Sequence, residues 1–394
     1  MAGNLLKIIK IHNKEVNRKM SNEKIISGGW TRECTQIAKG VAIILMILHH
    51  TLPSSLELPA ILSFRFLEEI VTISVLIGRF GKLCVAIFTV LSGYGIACSI
   101  RNKAMEGDEL SFSLLARVKK MYFTFWKAFA IFAAARVLAG DALFKGGIKI
   151  FFMNFFAISS DYCGSWWFLG PYIGLVLLYP FFKSFANRKK ASVTTDLFWI
   201  FILWTFGAYV YPQLMNHTLM CEYSVSMPIW WLLYWVVQLS ASFMTGVVIA
   251  RADLFFQWKN LFKNRVIYKL TSATIILIVF VARSLHGNVP ETRIPEFFYA
   301  TWFIVGSVGL VKDMPFISRL FCVLGNHSTY MWLLHPIVLY YILPYMPNAI
   351  GIIQDILLVV VFSFAMSWLL KKAETFFRQF KQKLLNLIRT SSHL

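Results

Sequence analysis

The feature that most limits what this chain can become is the recurrence of long apolar runs separated by short segments rich in lysine and arginine. About 20 mostly apolar residues let a helix cross the hydrocarbon of a bilayer. Inside lipid, a helix is one of the few structures that satisfies its own backbone hydrogen bonds. Ten such stretches are predicted, at 38–52, 83–100, 121–139, 166–185, 197–214, 228–250, 267–285, 297–311, 329–345 and 349–370. Composition agrees: 58% of residues are apolar and 15% charged, whereas soluble domains carry about 25% charged residues. Too little charge remains to cover a water-soluble surface, which excludes a cytosolic enzyme. So many apolar residues equally exclude a disordered chain.

The formal net charge of +20 would suit a nucleic-acid binder, but on a membrane protein a basic excess reports cytoplasmic loops. With the amino terminus inside, the inner segments hold 30 of the 39 basic residues and the outer segments hold 8, with Lys127 left inside the third span. This bias predicts an all-α polytopic membrane protein of about ten transmembrane helices, with both termini cytoplasmic and the bilayer, not nucleic acid, as its partner. The expected divisions are a basic amphipathic arm at 1–37, a membrane-embedded domain at 38–370 and a basic tail at 371–394. Residues 1–24 are basic throughout and lack the apolar core of a cleavable signal peptide. The six cysteines have no metal-ligand spacing, so no metal site is expected. Cys163 and Cys221 both fall on the outer side, where an oxidising compartment permits a disulfide.

Titratable groups inside a bilayer are costly and mark candidate sites. Lys39 opens the first span, and His49 and His50 lie towards its outer end. Eleven steps from Lys39 to His50 turn the helix by about 1100°, within roughly 20° of three full turns, and advance it about 16 Å. A cation at the inner surface therefore lies on the same helix face as an imidazole deep in the membrane, whereas His49 is rotated by about 100° and faces elsewhere. The competing reading makes Lys39 a topological anchor and His50 a packed histidine. A second imidazole, His335, in the ninth span favours chemistry. Ser92-Gly93 in the second span reads as a close helix contact with a hydroxyl beside it. Asp355 reads as pairing with a base or lining a cavity, and Lys127 as snorkelling to the cytoplasm. Arg117, Lys119 and Lys120 lie at the inner mouth of the third span, as topology signals or as ligands for phosphate.

These residues fall in an order that resembles the acyltransferase-3 family of integral membrane O-acyltransferases, which acylate bacterial surface sugars. Lys39-Gly40 through His50 is similar to the family's opening motif, a basic residue followed by ten residues and a histidine. Phe88 through Ser92-Gly93-Tyr94 resembles its Ser-Gly-aromatic stretch, and Arg117 through Lys120 its Arg-x-x-Arg motif, with lysine in the second place. Trp167 through Pro180 keeps the spacing of a central Trp…Pro stretch, with Tyr172 where a carboxylate often stands, so no general acid is assigned there. Ser328, Tyr330 and His335-Pro336 are similar to the carboxyl-proximal signature.

The resemblance implies transfer of an acyl group, most often acetyl, from cytoplasmic acyl-CoA to a hydroxyl of a surface or lipid-linked saccharide at the outer face. The setting it implies is a bacterial inner membrane, in a form without an appended hydrolase domain. Acetyl-CoA would be donor substrate, with no tightly bound cofactor. Its phosphates would meet Lys39, Arg117 and Lys120, and its pantetheine arm would carry the thioester towards His50. His50 would act as general base or as transient acyl carrier. Ser92, Ser328 and Tyr330 would be oxyanion donors, and His335 would assist His50 or hold the acceptor. On physical grounds alone, an exporter of a saccharide or small molecule fits ten spans with intramembrane charges equally well, although no inverted repeat is visible.

Overall fold

The computed structural model describes residues 30–52, 65–104, 110–144, 146–188, 192–216, 228–286, 293–345 and 351–391. Its helices, in chain order, are α1 (Arg32–Thr51), α2 (Arg65–Gly81), α3 (Leu83–Ala104), α4 (Leu110–Leu138), α5 (Gly147–Phe155), α6 (Leu169–Leu177), α7 (Tyr179–Ala186) and α8 (Val193–Thr205). They continue with α9 (Tyr211–Asn216), α10 (Pro228–Ala252), α11 (Leu254–Asn260), α12 (Arg265–Ser284), α13 (Glu296–Val311), α14 (Pro315–Tyr341) and α15 (Ile352–Ser391). No strand occurs among the described residues. The chain is an all-α polytopic membrane protein.

Each of the ten apolar stretches lies largely on helix where it is described, but not all ten meet the length and apolarity of a span. Seven helices do so among the described residues, or eight if the bent pair formed by Gly164–Leu177 and Tyr179–Ala186 is one span. Helix α13 is short, at 16 residues. Helix α14 carries His335 within a stretch, 330–338, that neighbouring helices largely bury, whereas Asn326 is exposed. The bent pair turns by 51° at Pro180, which opens α7 and cannot continue the hydrogen-bond ladder of α6. Sequence reading treated residues 53–82 as an outer loop; α2 instead occupies its second half, and residues 73–101 form one apolar stretch across α2 and α3.

Burial separates inner from outer helices. In α3 and α10, 67% of the apolar window is buried, against 11% in α12 and 17% in α15, whose free faces are those a bilayer would cover. Lipid offers no hydrophobic drive for helices to associate, so close backbone packing has to supply it. Two crossings do so. A methyl group on Gly40 would overlap the Phe321 carbonyl, and one on Gly325 the Gln36 carbonyl, so α1 and α14 touch backbone to backbone. Gly93 against Phe243 and Gly246 against Val90 make the same contact between α3 and α10. Helix α1 starts where Thr31 caps Cys34 N–H at 3.3 Å, with Glu33 in the first turn and His49 and His50 in the last, matching the helix dipole.

Residues 1–29, most of the expected arm, lie outside the described residues, as does Cys221; Cys163 is a buried free thiol. Helix α15 runs unbroken past residue 370 to Ser391, so the expected tail continues the last helix as far as it is described. Lys127 does not simply reach for water, because its ammonium pairs with Glu374 on α15.

Candidate active site

Helices α1 and α14 set the geometry. Ser318 Oγ donates to Glu33 at 3.0 Å, and the two residues are 285 positions apart. Gly40 and Gly325 have the same offset, as do His50 and His335, so the helices run parallel and in register. Ten residues beyond the glycine contact, about 15 Å along each axis, the imidazoles of His50 and His335 meet with ring centroids 5.0 Å apart.

His335 is fully buried. Its Nδ1 is 2.6 Å from the Trp332 carbonyl. A carbonyl only accepts, so Nδ1 carries the proton and Nε2 keeps a lone pair. That Nε2 is buried without a hydrogen-bond partner. Reciprocal tryptophan bonds fix the backbone here: Trp332 Nε1 donates to the Ser165 carbonyl and Trp166 Nε1 to the Leu333 carbonyl, both at 3.0 Å. They latch the start of the bent pair to α14 beside the histidine.

His50 is exposed and borders a cavity of about 550 Å3. Lys39, Ser92 and Ser328 line the same cavity, whose walls continue past the histidines to Lys82, Trp231 and Glu296. One space therefore joins the Lys39 end of the bundle, which the charge bias makes the inner face, to the opposite end. The charges acting on Lys39 are those of Arg117, Arg32 and Lys120, all positive. Arg117 Nε is buried and has no hydrogen-bond partner among the described residues. The positive charges gathered around Lys39 suit an anion.

The structure thus gathers Lys39, Arg117 and Lys120 at one end and His50 with His335 further along, and places Ser92 on the cavity wall. Ser92 Oγ donates to the Phe88 carbonyl at 2.6 Å and Ser328 Oγ to the Gly325 carbonyl at 2.8 Å, so either must turn its hydroxyl to serve a ligand. Tyr330 likewise donates its hydroxyl, to Glu374, and does not line the cavity. Asp355 sits in the first turn of α15 and pairs with no base among the described residues.

His49 departs from its expected direction. Its Nδ1 donates to the Gly78 carbonyl on α2 at 2.9 Å, yet its ring borders the cavity and lies 5.0 Å from that of His50. A cavity this wide spans two neighbouring helix faces.

Sequence reasoning missed Arg32, Lys82, Glu296 and Glu374. The last was signalled by a lone acid among the basic residues near the end of the tenth apolar run. Glu296 opens α13 and is bound by Arg283 at 2.7 Å. It follows a proline in a segment read only as an outer connection.

No curated protein and no solved structure matches the chain. The profile of the acyltransferase-3 family, described as an acyltransferase domain, matches residues 35–372. This match covers most of the 394 residues, from the first turn of α1, through the cation cluster and both histidines, into α15. On that evidence the chain belongs to the acyltransferase-3 family and is a membrane acyltransferase.

Proposed function

We propose that the protein transfers an acyl group, most simply acetyl, from cytoplasmic acyl-CoA to a saccharide hydroxyl presented at the outer face. The observation that carries this reading is the single cavity bordered both by Lys39, within its cluster of cations, and by His50. An acyl-CoA is a polyanion joined to a thioester by a long neutral arm. Lys39, Arg117, Lys120 and Arg32 suit its phosphates. The roughly 16 Å from Lys39 to His50 along α1 suits its arm.

At the histidines the acceptor hydroxyl would lie between His50 and the thioester carbon. His50 removes the hydroxyl proton as the oxygen attacks. The carbon–sulfur bond then breaks, and the protonated His50 returns its proton to the departing thiolate. His335 has no surface on the cavity, so it would act through His50: its unpartnered Nε2, beside the His50 ring, would accept that ring's N–H once the ring turns, fixing which His50 nitrogen meets substrate. That makes His335 a positioning residue rather than a holder of the acceptor. Ser92 and Ser328, each once turned from its helix carbonyl, are the motif hydroxyls on the cavity wall that would serve the oxyanion. With His50 as a covalent carrier, the same geometry would pass the acyl group outward in two steps. Family membership favours acyl transfer over the exporter reading, which rested on ten spans with intramembrane charges.

The test is acyl-CoA binding to the purified protein in nanodiscs, comparing wild type with Arg117→Ala/Lys120→Ala. Saturable acetyl-CoA binding that weakens at least tenfold in the variant is expected. Absence of binding by acetyl-, succinyl- and longer acyl-CoA at millimolar concentration would overturn the proposal.

A further inference from the structure

A second, smaller recess lies at the end of the bundle where α1 begins, the inner face by the charge bias. It measures about 180 Å3 and shares no lining residue with the cavity of the histidines. Trp30 and Phe255, stacked with centroids 4.2 Å apart, supply part of its apolar wall, and Tyr268 adds a further ring. Lys259 near the end of α11, Lys263 in the turn before α12 and Lys312 just past α13 also line it. Its one acid, Asp313, is bound by Arg265 at 2.8 Å. The three lysines have no carboxylate partner among the described residues. Gly309 lines the recess too, and a methyl there would lie 2.3 Å from Ser272 Oγ and 2.9 Å from the Tyr268 hydroxyl oxygen. Two hydroxyls thus pack against one bare backbone position, and Ser272 Oγ is buried without a hydrogen-bond partner.

Lysines that serve only as topology signals need nothing but water around them. Here three of them share an aromatic-walled recess with two hydroxyls, which is the chemistry of a phosphate site. The volume falls below the roughly 300–1,000 Å3 of pockets that enclose a drug-sized molecule. It therefore takes a headgroup rather than the nucleotide of an acyl-CoA. The surroundings supply the source of that headgroup. Helix α12 leaves the recess at Arg265 and exposes Val266, Ile267, Leu270, Leu277, Ile278 and Val281. At 3.6 residues per turn these fall within roughly 120° of the helix surface, an apolar stripe that starts beside the lysines. A free phosphate would use the recess alone, whereas a phospholipid uses both recess and stripe. Basic recesses between spans on the cytoplasmic side suit anionic headgroups, because that leaflet carries negative charge.

We propose that this recess binds the phosphate headgroup of an anionic phospholipid, with Lys259, Lys263 and Lys312 around the phosphate and the acyl chains along α12. The site is independent of the acyl-transfer reading. Trp30 and Cys34 line the recess at the start of the helix that carries Lys39 and His50. The bound headgroup therefore ties α11, α12 and α13 to the base of α1. A ligand that binds only the folded state raises Tm as its concentration rises.

The experiment titrates the full-length protein in dodecyl maltoside with dioleoylphosphatidylglycerol and, separately, with dioleoylphosphatidylcholine. Tm is followed by tryptophan fluorescence. The two lipids share their chains and differ only in headgroup. A saturable rise in Tm with phosphatidylglycerol, absent with phosphatidylcholine, is expected. Lys259→Ala/Lys263→Ala/Lys312→Ala should weaken the apparent Kd by roughly tenfold or more. Lys372→Ala/Lys381→Ala/Lys383→Ala, which removes the same charge from α15, should keep the wild-type Kd. Equal shifts with both lipids in wild type overturn the proposal whether or not a variant folds. So does equal weakening in the two triple variants, which would reduce the effect to net charge. A recess variant that keeps the wild-type Kd overturns it as well. Inorganic phosphate at millimolar concentration is the remaining arm: a full Tm shift from phosphate alone would make this a site for a soluble anion, and the lipid assignment would fall.

Discussion

His50 and His335, 285 residues apart in the chain, face each other at a centroid distance of 5.0 Å because α1 and α14 run parallel and in register from their glycine contact. One ring borders the cavity and the other is sealed behind it. Their unequal positions underlie the proposed roles, in which His50 would meet substrate and His335 would hold His50 in place.

Replacing His335 by Ala should lower kcat 10- to 100-fold, the scale on which misplacing a reacting group acts. Donor Kd and KM should stay at wild-type values. Steady-state kinetics and donor titration on the same preparation check this. A rise in donor KM with unchanged kcat would contradict the role.

The glycine contacts make a contrast within one helix. Gly93→Ala places a methyl on the Phe243 carbonyl of α10, whereas Gly95, two residues on, has open space around its added methyl. Gly93→Ala should cost about 1–3 kcal/mol from forced overlap and lower Tm measurably. Gly95→Ala should leave Tm unchanged or raise it slightly. Thermal unfolding in detergent, read by tryptophan fluorescence, separates them.

Asp196 is fully buried between Arg188 and Arg251. Asp196→Asn keeps the shape but leaves two guanidinium groups without their counter-charge. Breaking a buried ion pair in this way costs about 3–5 kcal/mol. The expected readout is a Tm drop on the order of 10 °C, partly restored by adding Arg251→Met.

Lys39→Ala should raise donor KM several-fold and leave kcat for bound donor nearly unchanged. Lys39→Arg should recover most of the loss, since it keeps the charge. Michaelis curves at varied acetyl-CoA distinguish this from a topological role, in which membrane insertion would fall and KM would stay put.

Much of this arrangement was legible in the residues. The apolar runs marked the helices because a bilayer demands length and apolarity of each crossing. The 11-step interval placed Lys39 and His50 on one face because helical period is a local property. The meeting of His50 with His335 was not legible, since nothing local records that two helices 285 residues apart share a register. Nor was the partition of the spans: α14 buries most of 330–338, His335 included, against neighbouring helices, and no window of sequence knows its neighbours. Glu296 hid for a related reason, as its importance comes from Arg283 and from the cavity it borders. His49 was assigned to the wrong surroundings because helix rotation gives a direction but not the width of the space beyond it.

The most direct test of the account is acyl transfer by His50→Ala alongside wild type, with acetyl-CoA Kd measured on both in nanodiscs. The account predicts unchanged donor Kd and turnover reduced by at least 10²- to 10⁴-fold, the contribution of a positioned proton acceptor. Turnover within a few-fold of wild type in His50→Ala, with donor binding intact, would contradict it.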